Sequence, residues 1–110
     1  MTREEIVAEM LAEYDRATEK FGPFNSDHEG YAVMLEEMDE LWDVVKLNPT
    51  KIMGVWNTAE YYNLEKTNTE GAARYKEACQ RKKHREMKRE EAIQLGAMAI
   101  RFVMDLCQDE

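Results

Sequence analysis

Apolar residues recur three and four positions apart along most of the chain. No alternation of period two competes with them, so the pattern predicts helices and no strands. Ile6, Val7, Met10, Leu11, Tyr14 and Ala17 share one face of a first helix, and Thr2 with Glu5 three residues on forms the capping box that opens it. That helix should run to about Lys20, where Phe21-Gly22-Pro23 ends it. Ser26 and Glu29 repeat the capping signature and open a second helix to about Leu47. Pro49 stops it, because proline disfavours helical geometry in the residue before it. Residues 48–70, with Pro49, Gly54 and several Asn and Thr, read as a loop holding one short helix at 58–66. From Thr69 to Leu106 the chain is helical again, as one long helix or as two broken near His84.

On the second helix, successive residues turn by roughly 100°. Tyr31, Met34, Leu35, Met38, Leu41, Trp42 and Val45 then form a broad apolar face expected to be core, and Glu36, Asp39 and Asp43 point away from it. Glu37 and Glu40 project between the two faces, on a strip shared with Val33 and Val44. Acids held at i and i+3 in partial burial repel each other unless a proton or a cation intervenes. A hard divalent cation with oxygen ligands resolves that conflict. So does an acidic rim balanced by Lys or Arg from a neighbouring helix.

The last helix is apolar around most of its circumference, through Ile93, Leu95, Ala97, Ile100, Phe102, Val103, Met104 and Leu106, and should therefore be buried. Its polar residues Glu91, Gln94, Arg101 and Asp105 gather, with Met98, within about a quarter turn. Buried polar groups must be satisfied, since each unpaired one costs on the order of 1–3 kcal/mol. Facing this stripe toward Glu37 and Glu40 lets a cation take oxygens from both helices. Arg101 is then left for Asp105 or for a ligand phosphate. A network of salt bridges without metal is the other solution, but four acids would face one arginine.

Composition narrows the class. A chain of 110 residues reads as one domain, 1–110, able to bury a core without staples. A net charge of −8 argues against nucleic acid as a partner, although eight of the 15 Lys and Arg fall between Arg74 and Arg89. Such a run is either a solvated helix face or a site for a small polyanion. Cys79 and Cys107 match no metal spacing and read as reduced thiols of a cytoplasmic chain. No signal peptide is visible, and no apolar stretch is long enough to span a bilayer, so no membrane partner is expected. Three main helices cannot easily cover a final helix apolar nearly all round, which predicts a homodimer or higher homo-oligomer.

Glu36-Glu37-x-x-Glu40 resembles the EExxE motif of the MazG-like nucleotide pyrophosphohydrolases, all-α enzymes related to dimeric dUTPases and phosphoribosyl-ATP pyrophosphohydrolases. Glu91-x-x-Gln94 is similar to that family's second motif, ExxD, on a later helix. The resemblance covers the helices at 26–47 and 87–106, somewhat under half the chain. It implies a MazG-like helical bundle, completed by oligomerisation, that hydrolyses a nucleoside triphosphate to monophosphate and pyrophosphate with Mg²⁺, or with Mn²⁺ in its place. Carried over, Glu37, Glu40, Glu91 and Gln94 are metal ligands, while Glu36 holds the attacking water or binds a second metal. Gln94 departs from the pattern: an amide oxygen can ligate Mg²⁺ but brings no charge and cannot act as a base. Lys88, Arg89 and Arg101 are candidates for the phosphates, and His28, Tyr31 and Trp56 for the base. The competing reading is a non-catalytic helical binding or scaffold module that keeps the fold. An oxygen-activating di-metal bundle is excluded, because Asn25 and Arg81 stand where Glu-x-x-His pairs need Glu before His28 and His84.

Overall fold

The computed structural model describes residues 1–109 and is helical throughout, with α1 at Arg3–Phe21, α2 at Asp27–Val45, a 3₁₀ turn at Pro49–Lys51, α3 at Ala59–Thr67 and α4 at Thr69–Leu106. Caps set the starts. Thr2 Oγ1 accepts from Glu5 N (3.1 Å) and Glu5 reaches back to Thr2 N, so the box at α1 is complete. Ser26 Oγ caps α2 through Glu29 N, but the Glu29 carboxylate turns to Asn25 instead, accepting from its backbone N and its side-chain amide. Gly22 ends α1 at φ +70°, a conformation that side-chain-bearing residues rarely adopt.

α4 is one unbroken helix of 38 residues, with no break at His84. Neither glycine nor proline occurs between Gly71 and Gly96, and the polar residues at its middle are satisfied from outside. His84 Nε2 donates to Val44 O (2.7 Å), a carbonyl in the last turn of α2 that also accepts from Leu47 N (3.2 Å), and Gln80 Nε2 donates to Ile52 O (3.0 Å) and Thr50 O (3.3 Å). These buried residues fasten the 46–52 connection to α4.

The C-terminal half of α4 is the spine of a bundle with α1 and α2. Its core is Ala17, Phe24, Ala97 and Met98, with Tyr14, Val33, Met34, Phe102 and Leu106 packed round it. The N-terminal half extends beyond the bundle and carries α3, giving a molecule 67 Å long and 25 by 22 Å across. There Trp56, Tyr61 and Tyr75 gather, with Lys76 Nζ 4.4 Å from the Trp56 ring centre and Thr58 bonded to Tyr75 Oη (2.9 Å).

The face of α2 that packs is not the one its apolar residues predict. Tyr31, Leu35, Met38, Trp42 and Val45 are each 46–64% exposed, and only Met34 and Leu41 of the expected core face are half-buried. The side that meets α4 carries Gly30, Val33, Glu37 and Val44. Gly30 decides the register: a Cβ there would lie 2.7 Å from Phe102 Cδ2, so only glycine lets the helices approach this closely. Val103 and Met104 of the last helix are also exposed.

Two glycines should therefore respond oppositely to alanine. At Gly96 the added methyl meets only the flexible end of Met10, so the gain in helix propensity should offset the crowding, leaving stability within about 1 kcal/mol of wild type. At Gly30 it meets an aromatic ring wedged in the interface, and Gly30→Ala should lose about 1–3 kcal/mol to overpacking. Urea denaturation of both variants checks this, and equal losses would contradict the close approach at Gly30.

Candidate metal centre

Packing α2 on α4 through its Glu37 side sets carboxylates from two helices against each other. Glu37, Glu40 and Glu91 each place an oxygen within 4.8 Å of the other two. The i, i+3 spacing of Glu37 and Glu40 stacks them on one edge of α2, and Glu91 opposes them from α4. Glu37 Oε2 and Glu91 Oε2 are buried and have no hydrogen-bond partner. Among the described residues the ion pairs are all local, three or four positions apart, and none involves these three acids. The balancing Lys or Arg required by the rim reading is thus not within ion-pair distance.

The electrostatic cost is visible in the titration of the cluster. Burial, then the charge of Glu40 and a hydrogen bond to it, then Glu91 and Glu36, push the Glu37 carboxyl up to about 7. Glu91 is raised as well, by burial and then by Glu40. A raised acid keeps its proton in the folded protein where the unfolded chain has lost it. Without divalent cations, stability should be full below about pH 4.5 as far as Glu37 is concerned. It should fall as pH rises through about 7, by on the order of 2 kcal/mol after allowance for solvent screening. Melting curves in chelator from pH 4.5 to 8 measure this, with Glu37→Gln flattening the slope.

Beside the cluster, a cleft of about 330 Å³ opens between α1, α2 and α4. Glu36, Glu37 and Gln94 line it at the cluster end. Ala17, Phe21, Phe24, Val33 and Met98 form apolar walls, and Arg101 lines the cleft further along α4. Gln94 stands one turn after Glu91, half-buried on the wall of the cleft, and its side-chain amide has no hydrogen-bond partner among the described residues. Arg101 is 4% exposed, donates from Nη2 to Gly22 O (2.7 Å) and lies 4.1 Å from the Phe24 ring centre, while its Nε has no partner. The expected Arg101–Asp105 pair does not form. Asp105 accepts instead from Phe24 N (3.0 Å), because the turn after α1 presents a carbonyl to one residue and an amide to the other.

The remaining candidates are dispersed. Lys88 is half-buried one turn before Glu91, with Arg89 exposed beside it. Arg101 is ten residues from Glu91, roughly 15 Å along the helix, so the three basic candidates do not converge. His28 and Tyr31 border a shallow hollow with Asp27 and Phe102, and Trp56 belongs to the aromatic group on the N-terminal half of α4. None of these three lines the cleft beside the acids. Phe24, which does, was hidden in sequence by its place in a turn. No protein-family model, curated protein or solved structure matches the chain.

Proposed function

We propose that this protein is a MazG-like, metal-dependent nucleoside triphosphate pyrophosphohydrolase, acting as a homodimer or higher homo-oligomer. The observation that carries the reading is the meeting of Glu37, Glu40 and Glu91, two of them burying an unpartnered oxygen, beside a cleft that Glu37 lines together with Phe21, Phe24, Val33 and Met98. Three carboxylates with no counter-cation make a hard oxygen donor set, which fits Mg²⁺ or Mn²⁺. Glu37, Glu40 and Glu91 would hold the ion, and Gln94 stands one helical turn after Glu91. A divalent cation bound there supplies charge to polarise a phosphate and to acidify water.

The chain's own residues have separable tasks in this reading. Glu36, adjacent to Glu37 and on the cleft wall, accepts the proton of the attacking water. Lys88 and Arg89 offset the charge of the outgoing pyrophosphate. Phe21, Phe24, Val33 and Met98 exclude water and receive the base, and Arg101 presents its guanidinium to that end of the cleft. Attack at the α-phosphorus breaks the α–β anhydride, so the products are a nucleoside monophosphate and pyrophosphate.

A panel of ribo- and deoxynucleoside triphosphates with Mg²⁺ tests the reading. Pyrophosphate, with no inorganic phosphate, is expected from at least one of them. A folded protein that releases pyrophosphate from none would favour the non-catalytic module, the reading that Gln94 in place of an acid supports.

A further inference from the structure

α4 leaves the acid cluster in two directions, and the two differ in kind. Toward its C-terminus Gln94, Met98 and Arg101 follow Glu91 along the cleft with apolar walls. Toward its N-terminus residues 81–89 hold six Lys and Arg against one acid, Glu86. Because α4 is one unbroken helix, the angular place of each follows from a turn of roughly 100° per residue. Arg81, Arg85, Lys88 and Arg89 fall within an arc of about 100° by that geometry. Lys83 and Glu86 turn away from it, into the hollow lined by Val55, Thr58 and Tyr75.

The basic stripe stands free. Arg81, Arg85 and Arg89 are exposed and Lys88 is half-buried. α3 and the 3₁₀ turn pack on other sides of the helix, through Tyr75 and Gln80. Among the described residues Arg85, Lys88 and Arg89 form no ion pair, and Asp43, near the end of α2, pairs with Lys46 instead. Arg81 pairs only with Glu77, an exposed contact that a phosphate can displace at little cost. Along the axis Lys88 lies about 4.5 Å before Glu91, Arg85 about 9 Å and Arg81 about 15 Å. The stripe thus runs outward from the cluster for nearly three turns.

We infer that this stripe seats a phosphate chain longer than three, so that the site takes nucleoside 5′-tetraphosphates and longer nucleoside polyphosphates as substrates. The inference rests on the proposed pyrophosphohydrolase reading, which puts the α-phosphorus at the acid cluster and the nucleoside in the cleft. The rest of the phosphate chain then leaves by the side away from the cleft, past Lys88 and Arg89. Those two cations suffice for a β,γ-pyrophosphate. Arg85 and Arg81 stand farther out by one turn and two, where further phosphates would meet them, and a guanidinium fork matches phosphate oxygens in pairs. The hydrolysis is unchanged in kind. Water adds to the α-phosphorus, its proton passes to Glu36, and the α–β anhydride breaks. The electron pair of that bond stays with the departing chain, which is triphosphate where a shorter substrate releases pyrophosphate.

Inorganic pyrophosphate, tripolyphosphate and tetraphosphate at fixed free Mg²⁺ test the seat without catalysis, and the tri- and tetraphosphates of adenosine, guanosine and uridine test it with catalysis. Affinity, read from the rise in melting temperature, should grow about tenfold from pyrophosphate to tetraphosphate. For a nucleoside that is hydrolysed, kcat/KM should be about tenfold higher for the tetraphosphate than for the triphosphate. Arg81→Gln combined with Arg85→Gln, both at exposed positions, should bring the two ratios to about one, and added salt should shrink them in the wild type. A binding gain that the double variant loses, with no nucleotide hydrolysed, would sink the proposed chemistry and keep the phosphate seat. Ratios near one in the wild type would overturn the seat, whether or not a triphosphate is hydrolysed. A gain that survives the double variant would send the chain along another path and overturn it as well. So would a single-stranded oligonucleotide without a 5′-triphosphate that binds as tightly as tetraphosphate, since the stripe would then be a general polyanion surface.

Discussion

Glu40→Gln should nearly erase the response of this protein to Mg²⁺. In the wild type, added Mg²⁺ or Mn²⁺ should raise the melting temperature, because an ion bound only by the folded state stabilises it by mass action, about 2.7 kcal/mol at a hundredfold excess over Kd. The rise should be larger at pH 8 than at pH 5.5, since Glu37 and Glu91 must lose their raised protons before they can ligate. Glu40 is the more exposed member of the trio and the charge that contributes to raising both partners. Its amide should therefore fold normally, be slightly more stable than wild type in chelator, and lose metal affinity at least about 100-fold, with activity falling in step. Differential scanning fluorimetry of wild type and variant across a Mg²⁺ titration reads all of this. Equal metal responses would remove Glu40 from the site and leave the metal-dependent reading without its central residue.

Gln94→Asp should produce the opposite signature. The position lies one turn beyond Glu91 and on the wall of the cleft, and no protein partner holds the amide there. A fourth carboxylate adds like charge to the trio, so in chelator the variant should melt below wild type, by roughly 1–3 kcal/mol of stability at pH 8. Saturating Mg²⁺ should recover that loss and more. The gap between chelated and Mg²⁺-saturated melting temperatures would then exceed that of wild type. A loss in chelator that Mg²⁺ does not recover would mean that Gln94 faces packing and not the cation, which strengthens the non-catalytic alternative.

Helix boundaries were legible because the signals are local. Thr2 with Glu5, Ser26 with Glu29, Gly22 and Pro49 each act within a few residues of themselves, and the helices begin and end beside them. The convergence of Glu37, Glu40 and Glu91 was legible for a related reason. An i, i+3 acid pair between valines and a polar stripe on an apolar helix both point to the interface between two helices, and there they meet, with an oxygen of Glu37 and one of Glu91 left unpartnered. What could not be read was which side of α2 faces inward. A count of apolar residues favours the Tyr31–Val45 stripe, but periodicity marks an apolar face without saying which neighbouring helix covers it. Gly30, a gap in the apolar pattern, was the clue to the side that packs. Arg101 and Asp105 show a second limit. Helical spacing made them partners, and a turn some eighty residues away took both.

That turn also governs how the molecule must be made. Gly22 and Phe24 find their partners at Arg101 and Asp105, nearly at the other end of the chain, and α1 and α2 both pack on α4. Loops of this length are slow to close, and the reward for closing them comes only once the last helix is present. During synthesis from the N-terminus, α1 and α2 emerge before the residues of α4 on which both of them pack. A chain that stops before Arg101 keeps α1, α2 and most of α4, but it leaves the Gly22 carbonyl and the Phe24 amide without the two side chains that hold the turn between the first helices.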